Sequence, residues 1–209
     1  MGSSHASATD RRVPRRWVGT LRGVTDGPAP SATNLAPPTG DRLALLRRMG
    51  FGELAHDSHV PLLSHLLGTR RVLASWGERA EMCDAGLFHS VYGTEYFEHD
   101  LPTDRDEVRA IIGPDAEAVA WAWCTIRRDT MDLTAPVTVV DRTTDERIEL
   151  SDQRAADIAT LWAADTVEQI ARMDVHERTF AHSLLGVLHL ARPAAREATE
   201  AILHLIEER

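Results

Sequence analysis

A mainly helical bundle carrying one short β-hairpin is the fold class predicted by this 209-residue sequence. Three observations lead there. Beyond about residue 40, apolar residues recur at the three-to-four spacing of an amphipathic helix over most of the chain. Helix starters (Asp41, Pro61, Asp104, Pro114, Ser151) and stoppers (Gly50, Gly52, Gly77) cut that pattern into helix-sized lengths. Strand-like runs flank a polar turn in only one place, Val137–Val140 and Arg147–Leu150 around DRTTDE.

Residues 1–38 stand apart. Arg11, Arg12, Arg15, Arg16 and Arg22 face only Asp10 and Asp26, among Gly, Ser, Thr and Pro that bury little apolar surface. The expectation is a flexible basic tail, able at most to touch an anionic partner, ahead of a helical domain over 39–209. Asp41 caps the first helix, whose apolar positions are Leu43, Leu45, Leu46 and Met49. After the polar HDSH loop, Pro61 opens a helix that runs to Trp76 and ends at Gly77. Arg79–Ser90 follows, then a loop, VYGTEYFEHDLP. Asp104–Ile112 carries a cap at Asp104 with Glu107 three residues on, and Pro114–Arg127 comes next. Ser151 caps the longest helix, to about Met173. Val175–Leu190 and Ala194–Glu207 complete the set, with Pro193 between them.

Composition narrows the function. With 43% hydrophobic and 26% charged residues the chain reads as a soluble globular protein, and it has no apolar run near the ~20 residues of a membrane span. A net charge of −9 repels a phosphate backbone, which disfavours nucleic acid as a partner and leaves a small-molecule substrate. Cys83 and Cys124 lack a CxxC partner and the N-terminus lacks the apolar centre of a secretory signal, so reduced thiols and a cytoplasmic location are expected. The apolar stripe of REATEAILHLIEER packs either internally or against a second copy in a homodimer.

Two histidines carry most of the functional information: His65 in PLLSHLLGTRRVLASWG and His89 in AEMCDAGLFHSVYGT. Each imidazole sits in an apolar helical pattern and needs a partner. Asp165, in IATLWAADTVEQIARM, is a carboxylate on a helix that also reads as buried, where it needs a cation or several donors. A lone histidine in such a place is usually a satisfied core residue; the trio together points to a metal site. Glu168, one turn beyond Asp165, is a candidate general base or fourth ligand, against a plain surface ion pair. Tyr92, Thr94 and Tyr96 form the candidate rim that orients a polar substrate, against simple packing of their loop. Arg70 is a candidate anchor for a carboxylate or phosphate, against an ordinary surface arginine.

The blocks HLLGTRRVLASWG and CDAGLFHSVYGTEYF, with an aspartate far downstream, resemble the HD-domain superfamily of phosphodiesterase-like, metal-dependent phosphohydrolases, which also contains iron oxygenases. The likeness runs over roughly residues 50 to 172. It is closest to a branch in which the second histidine is followed by serine. It implies an HD-like all-α bundle in which His65, His89 and Asp165 converge on metal. The departure is His89-Ser90 where the superfamily has its His-Asp pair, so the carboxylate that bridges metals in relatives is gone. His56-Asp57 and His99-Asp100 do not end apolar helices and read as chance loop sequence.

One divalent ion (Fe, Mn or Zn) remains within reach of two imidazoles and a carboxylate. The leading expectation is a small hydrolase in which a metal-activated water attacks a phosphoester or related substrate. His59 or Glu168 then moves protons, and Ser90 hydrogen-bonds a ligand or the water. The alternatives are a mononuclear Fe(II) oxygenase using the same ligands and a metal-free binding or scaffold domain that keeps the fold.

Overall fold

The described residues of the computed structural model are 40–56, 60–170, 172 and 180–207. The basic segment 1–38 and His59 lie outside them. In chain order come α1 (Gly40–Arg48), a minimal antiparallel pair β1 (Ala55–His56) and β2 (Val60–Pro61), α2 (Leu62–Ser75), α3 (Ala80–Phe88), α4 (Arg105–Ile112) and α5 (Pro114–Thr125). Then follow β3 (Ile126–Asp132), β4 (Thr138–Asp141), β5 (Arg147–Glu149), α6 (Asp152–Ile170), α7 (Phe180–Val187), a 3₁₀ turn (Leu188–Leu190) and α8 (Pro193–Glu207). Among the described residues no helix is long and apolar enough to cross a membrane.

The start and stop residues act as their chemistry dictates. The Asp104 carboxylate accepts from the Asp106 N–H at 2.8 Å, and the Ser151 hydroxyl accepts from the Arg154 N–H at 3.2 Å. Glu107 pairs with Arg48 of α1 and leaves the expected capping box unclosed. Gly77, at φ +75°, ends α2: its N–H bonds the Ala74 carbonyl while Glu78 N–H bonds Leu73. That tight reversal sends α3 straight back along α2. The two helices close on Gly86, where an added Cβ would stand 2.4 Å from Leu73 Cδ1.

The fold departs from an all-α bundle with one hairpin in having a three-stranded antiparallel sheet, ordered β3-β4-β5. β4 and β5 are the expected hairpin. β3 is new, and it begins where the fifth helix stops, at Thr125 instead of Arg127. The inward positions of β3 are Ile126 and Arg128, so a buried arginine interrupts the apolar alternation that marks a strand. Of the expected helix Val175–Leu190, residues 175–179 lie outside the described ones; α7 hands over to the 3₁₀ turn at Leu188, before Pro193 opens α8.

Two apolar clusters fill the interior. The larger gathers Trp123, Ile126, Val139, Ile158, Leu161 and Leu184 from α5, the sheet, α6 and α7. The smaller gathers Leu45, Leu46, Phe51, Val108 and Ile112 around α1 and α4. Helices α2, α3 and α5 supply both, as with Leu73 in one and Leu66 in the other.

Buried charge ties these layers together. Glu117 of α5, 1% exposed, accepts from Arg105 at 2.7 and 3.0 Å, Arg109 at 3.3 Å and the Tyr92 hydroxyl at 3.2 Å. Asp157 of α6 accepts from Arg79 at 2.8 Å, Gln153 at 2.9 Å and Arg192. Removing one partner of such a cluster strands the others without compensation. Glu117→Ala is therefore expected to destabilise the fold by about 2 kcal/mol in urea unfolding. Glu117→Gln, which keeps an acceptor for the arginines but no charge, costs less; equal losses for the two would show that a neutral acceptor restores nothing and that the carboxylate charge is what holds the arginines.

Candidate metal centre

Three helices each bring one side chain to a single point between the two cores. α2 contributes His65, 1% exposed, and the residue that caps the C-terminus of α3 is His89, 2% exposed. α6 contributes Asp165, 7% exposed. His65 Nε2 lies 3.0 Å from His89 Nε2 and 3.1 Å from Asp165 Oδ1, and His89 Nε2 lies 3.2 Å from the same oxygen. The three atoms form a nearly equilateral triangle.

The orientation of each ring is fixed from behind. His89 Nδ1 donates to the Gly86 carbonyl at 2.7 Å, on the preceding turn of its own helix. His65 Nδ1 donates to Glu168 Oε2 at 2.5 Å. Both acceptors can only accept, so both Nδ1 atoms carry hydrogen and both Nε2 lone pairs face the triangle in the neutral rings. Glu168 is held in turn by Arg172, through bonds of 2.7 and 2.5 Å. Gln169 Nε2 donates to Asp165 Oδ1 at 2.9 Å. Room for Glu168 comes from Gly68, one turn past His65. A Cβ there would sit 2.5 to 2.7 Å from three atoms of the Glu168 side chain.

Three lone-pair acceptors facing one another at this distance repel unless positive charge stands between them. A proton is one solution. Burial by itself pushes the His65 imidazole down, but the hydrogen bonds and charges of Asp165 and Glu168 outweigh it and carry the group up to about 9. Burial likewise works against the Asp165 carboxylate, and bonds from His65 and His89 overcome it, holding the acid well below the usual range. Glu168 is lowered in the same way by His65 and Arg172.

A metal ion is the other solution, and the donor set fits one. In an octahedron with bonds of about 2.1 Å neighbouring ligands stand about 3.0 Å apart; across a tetrahedron of similar bonds the separation is about 3.4 Å. The observed 3.0 to 3.2 Å agrees with one face of an octahedron. A carboxylate behind a ligating histidine, as Glu168 is behind His65, is the usual outer support of such sites.

The other expected site residues are placed as follows. Glu168 joins the cluster on the Nδ1 side of His65, as its support and outside the triangle. Ser90 is buried and its carbonyl accepts from His99 Nε2 at 3.3 Å. His99 also accepts from the Leu101 N–H and packs edge-on against Phe51, so it belongs to the loop. Arg70 stands 4.0 Å from Asp84, which also receives Arg42 at 2.7 Å, in a charge cluster of α1, α2 and α3. Tyr92 is turned to Glu117 and Trp121. Thr94 is buried and accepts from the Tyr96 N–H at 3.3 Å. Tyr96 is 59% exposed, with its ring 4.8 Å from the Arg128 guanidinium. Cys83 and Cys124 are free thiols, and Cys124 donates to the His89 carbonyl at 3.0 Å.

Sequence reading passed over Gly68, Arg128 and Glu95. Gly68 did carry a signal, since glycine inside a helix is costly unless something approaches closely. Arg128 carried none, because its strand was hidden.

In metal-free protein the His65 ring is expected to titrate near pH 9 by NMR. Its ordinary value is about 6.5, so the stability contributed by the charged form is fully present below pH ~6.5 and is lost as pH rises through the folded value. Glu168→Gln lowers the midpoint. An unshifted midpoint in that variant removes Glu168 from the cluster.

A family model described as Domain of unknown function (DUF6817) matches residues 45–128. That stretch includes His65 and His89 and ends before Asp165. No curated protein and no solved structure matches the chain.

Proposed function

We propose that this chain is a small metal-dependent enzyme of HD-like type, holding one divalent ion on His65 Nε2, His89 Nε2 and Asp165 Oδ1 and hydrolysing a phosphoester or related small molecule. The observation that carries the reading is the buried triangle of lone pairs with edges of 3.0 to 3.2 Å, its rings locked from behind by Glu168 and Gly86. When bound, such an ion supplies Lewis acidity and lowers the pKa of a coordinated water toward neutrality. Ser90 stands in place of a bridging acid, which favours one ion over two.

The residues of the chain divide the remaining work. Asp165 neutralises part of the charge and is itself steadied by Gln169. Glu168, committed to His65 and Arg172, is a positioning residue and not the general base. Proton movement is assigned to His59, which lies outside the described residues. The HD-like bundle is supported by the convergence of α2, α3 and α6 on these side chains.

A second reading, a mononuclear Fe(II) oxygenase, draws on the same geometry. Two histidines and one carboxylate at cis-octahedral spacing form the facial arrangement of iron oxygenases, and zinc at a structural site prefers the wider tetrahedral spacing.

Purified protein loaded anaerobically with Fe(II), Mn(II) or Zn(II) is expected to retain one equivalent and to melt at a higher temperature. His65→Ala, His89→Ala and Asp165→Asn retain none. Turnover of phosphomonoesters or phosphodiesters without oxygen uptake supports the hydrolase, and oxygen uptake by the iron form supports the oxygenase. A wild type that holds no stoichiometric metal refutes both and leaves the scaffold reading.

A further inference from the structure

Next to the triangle lies a second cluster, built from nitrogen donors. Arg128, 5% exposed, reaches inward from β3 and stacks over Trp123 at 4.1 Å, with Trp162 at 5.7 Å and Tyr96 at 4.8 Å. Glu95 accepts from Arg128 Nε at 2.5 Å and from its backbone N–H at 3.0 and 3.2 Å. Of the guanidinium, those bonds engage only Nε. The two terminal nitrogens make no hydrogen bond to any described residue, and stacking satisfies only the faces of the group, leaving its in-plane N–H donors unused.

The flanking indoles are in the same condition. Trp123 is 1% and Trp162 3% exposed, and both Nε1 atoms are buried without a hydrogen-bond partner. Buried donors left unpaired are costly, and proteins seldom leave several together without a use. Two buried, unpaired indole N–H groups beside a guanidinium whose terminal nitrogens bond no described residue form a surplus of donors. The ligand chemistry they match is an oxyanion, which a planar guanidinium grips with two parallel bonds.

The cluster adjoins the triangle on two sides. The Trp123 ring lies edge-on to His89 with centroids 6.1 Å apart, and Trp162 is one helical turn before Asp165 on α6. Trp123 and Trp162 also meet edge-on at 6.5 Å. Trp123 thus touches Arg128 with its face and His89 with its edge.

We infer that the terminal nitrogens of Arg128, with the indole N–H groups of Trp123 and Trp162, form an oxyanion subsite, so that the substrate of the neighbouring triad carries a carboxylate or phosphate group. The word substrate rests on the enzyme reading above; the oxyanion subsite does not. Tyr96, exposed over the guanidinium, covers the outer side.

Calorimetric titration with inorganic phosphate, and separately with malonate, tests this in the wild type and in His65→Ala, which removes a triad ligand and leaves the subsite intact. Both proteins are expected to bind one of the two anions, and the tighter one names the class. Arg128→Gln is expected to weaken that binding about tenfold or more. Trp162→Phe, which keeps the packing and the Arg128–Glu95 pair, weakens it severalfold and decides the matter should Arg128→Gln fail to fold. Metal content stays unchanged in Trp162→Phe. Absence of binding by both anions, or binding that Arg128→Gln and Trp162→Phe leave as it was, overturns the subsite. Loss of metal binding in the wild type with anion binding retained overturns the enzyme reading alone.

Discussion

Inside an apolar body, two imidazole nitrogens and one carboxylate oxygen face each other at 3.0 to 3.2 Å. Such an arrangement is satisfied by a proton shared between His65 and Asp165 or by a metal ion, and the surrounding residues keep it from relaxing. If either ring flipped, an N–H would enter the triangle, but each Nδ1 is already engaged by an acceptor that cannot donate. If α2 and α6 drew apart, His65 would lose Glu168; Gly68 is the place where they come close enough to prevent this. The polar contacts and the small residues are thus parts of one device.

That device explains features which otherwise look like ordinary packing. The tight reversal at Gly77 returns α3 along α2, and the close approach at Gly86 lets them pack without an intervening layer. Gly86 also presents the carbonyl that orients His89. The Cys124 thiol, which burial pushes up to about 12, stays protonated and donates to the carbonyl of His89, fixing the backbone at the point where α3 ends. A residue lacking a nucleophilic role in this setting still has a positional one.

Much of this was legible before any coordinates. The helix starts at Asp104 and Ser151 follow from capping chemistry, and the need of His65, His89 and Asp165 for partners follows from the cost of burying polar groups; that they meet one another was implied by the resemblance of their sequence blocks. β3 was not legible, because its second inward position is Arg128, and a pattern reader scores a charged residue as outward. The roles of Tyr92 and Arg70 were equally hidden. Their partners, Glu117 and Asp84, are 25 and 14 residues away on other helices, and nothing local announces them. Glu168 was visible as a neighbour of Asp165, but not as a prop for His65, since that contact spans 103 residues.

The triangle also marks where the two halves of the interior are sewn together. α2 and α3 feed both apolar clusters, while α6 belongs to the larger one alone. Over most of that boundary cohesion comes from buried area, which tolerates a small slide of one helix on another. At the three donor atoms it comes from directional contacts, which do not. An exchange that slides α2 on α6 without loss of buried area therefore still disturbs the three donor atoms. The geometry of the polar centre is accordingly a finer gauge of this core than any unfolding curve.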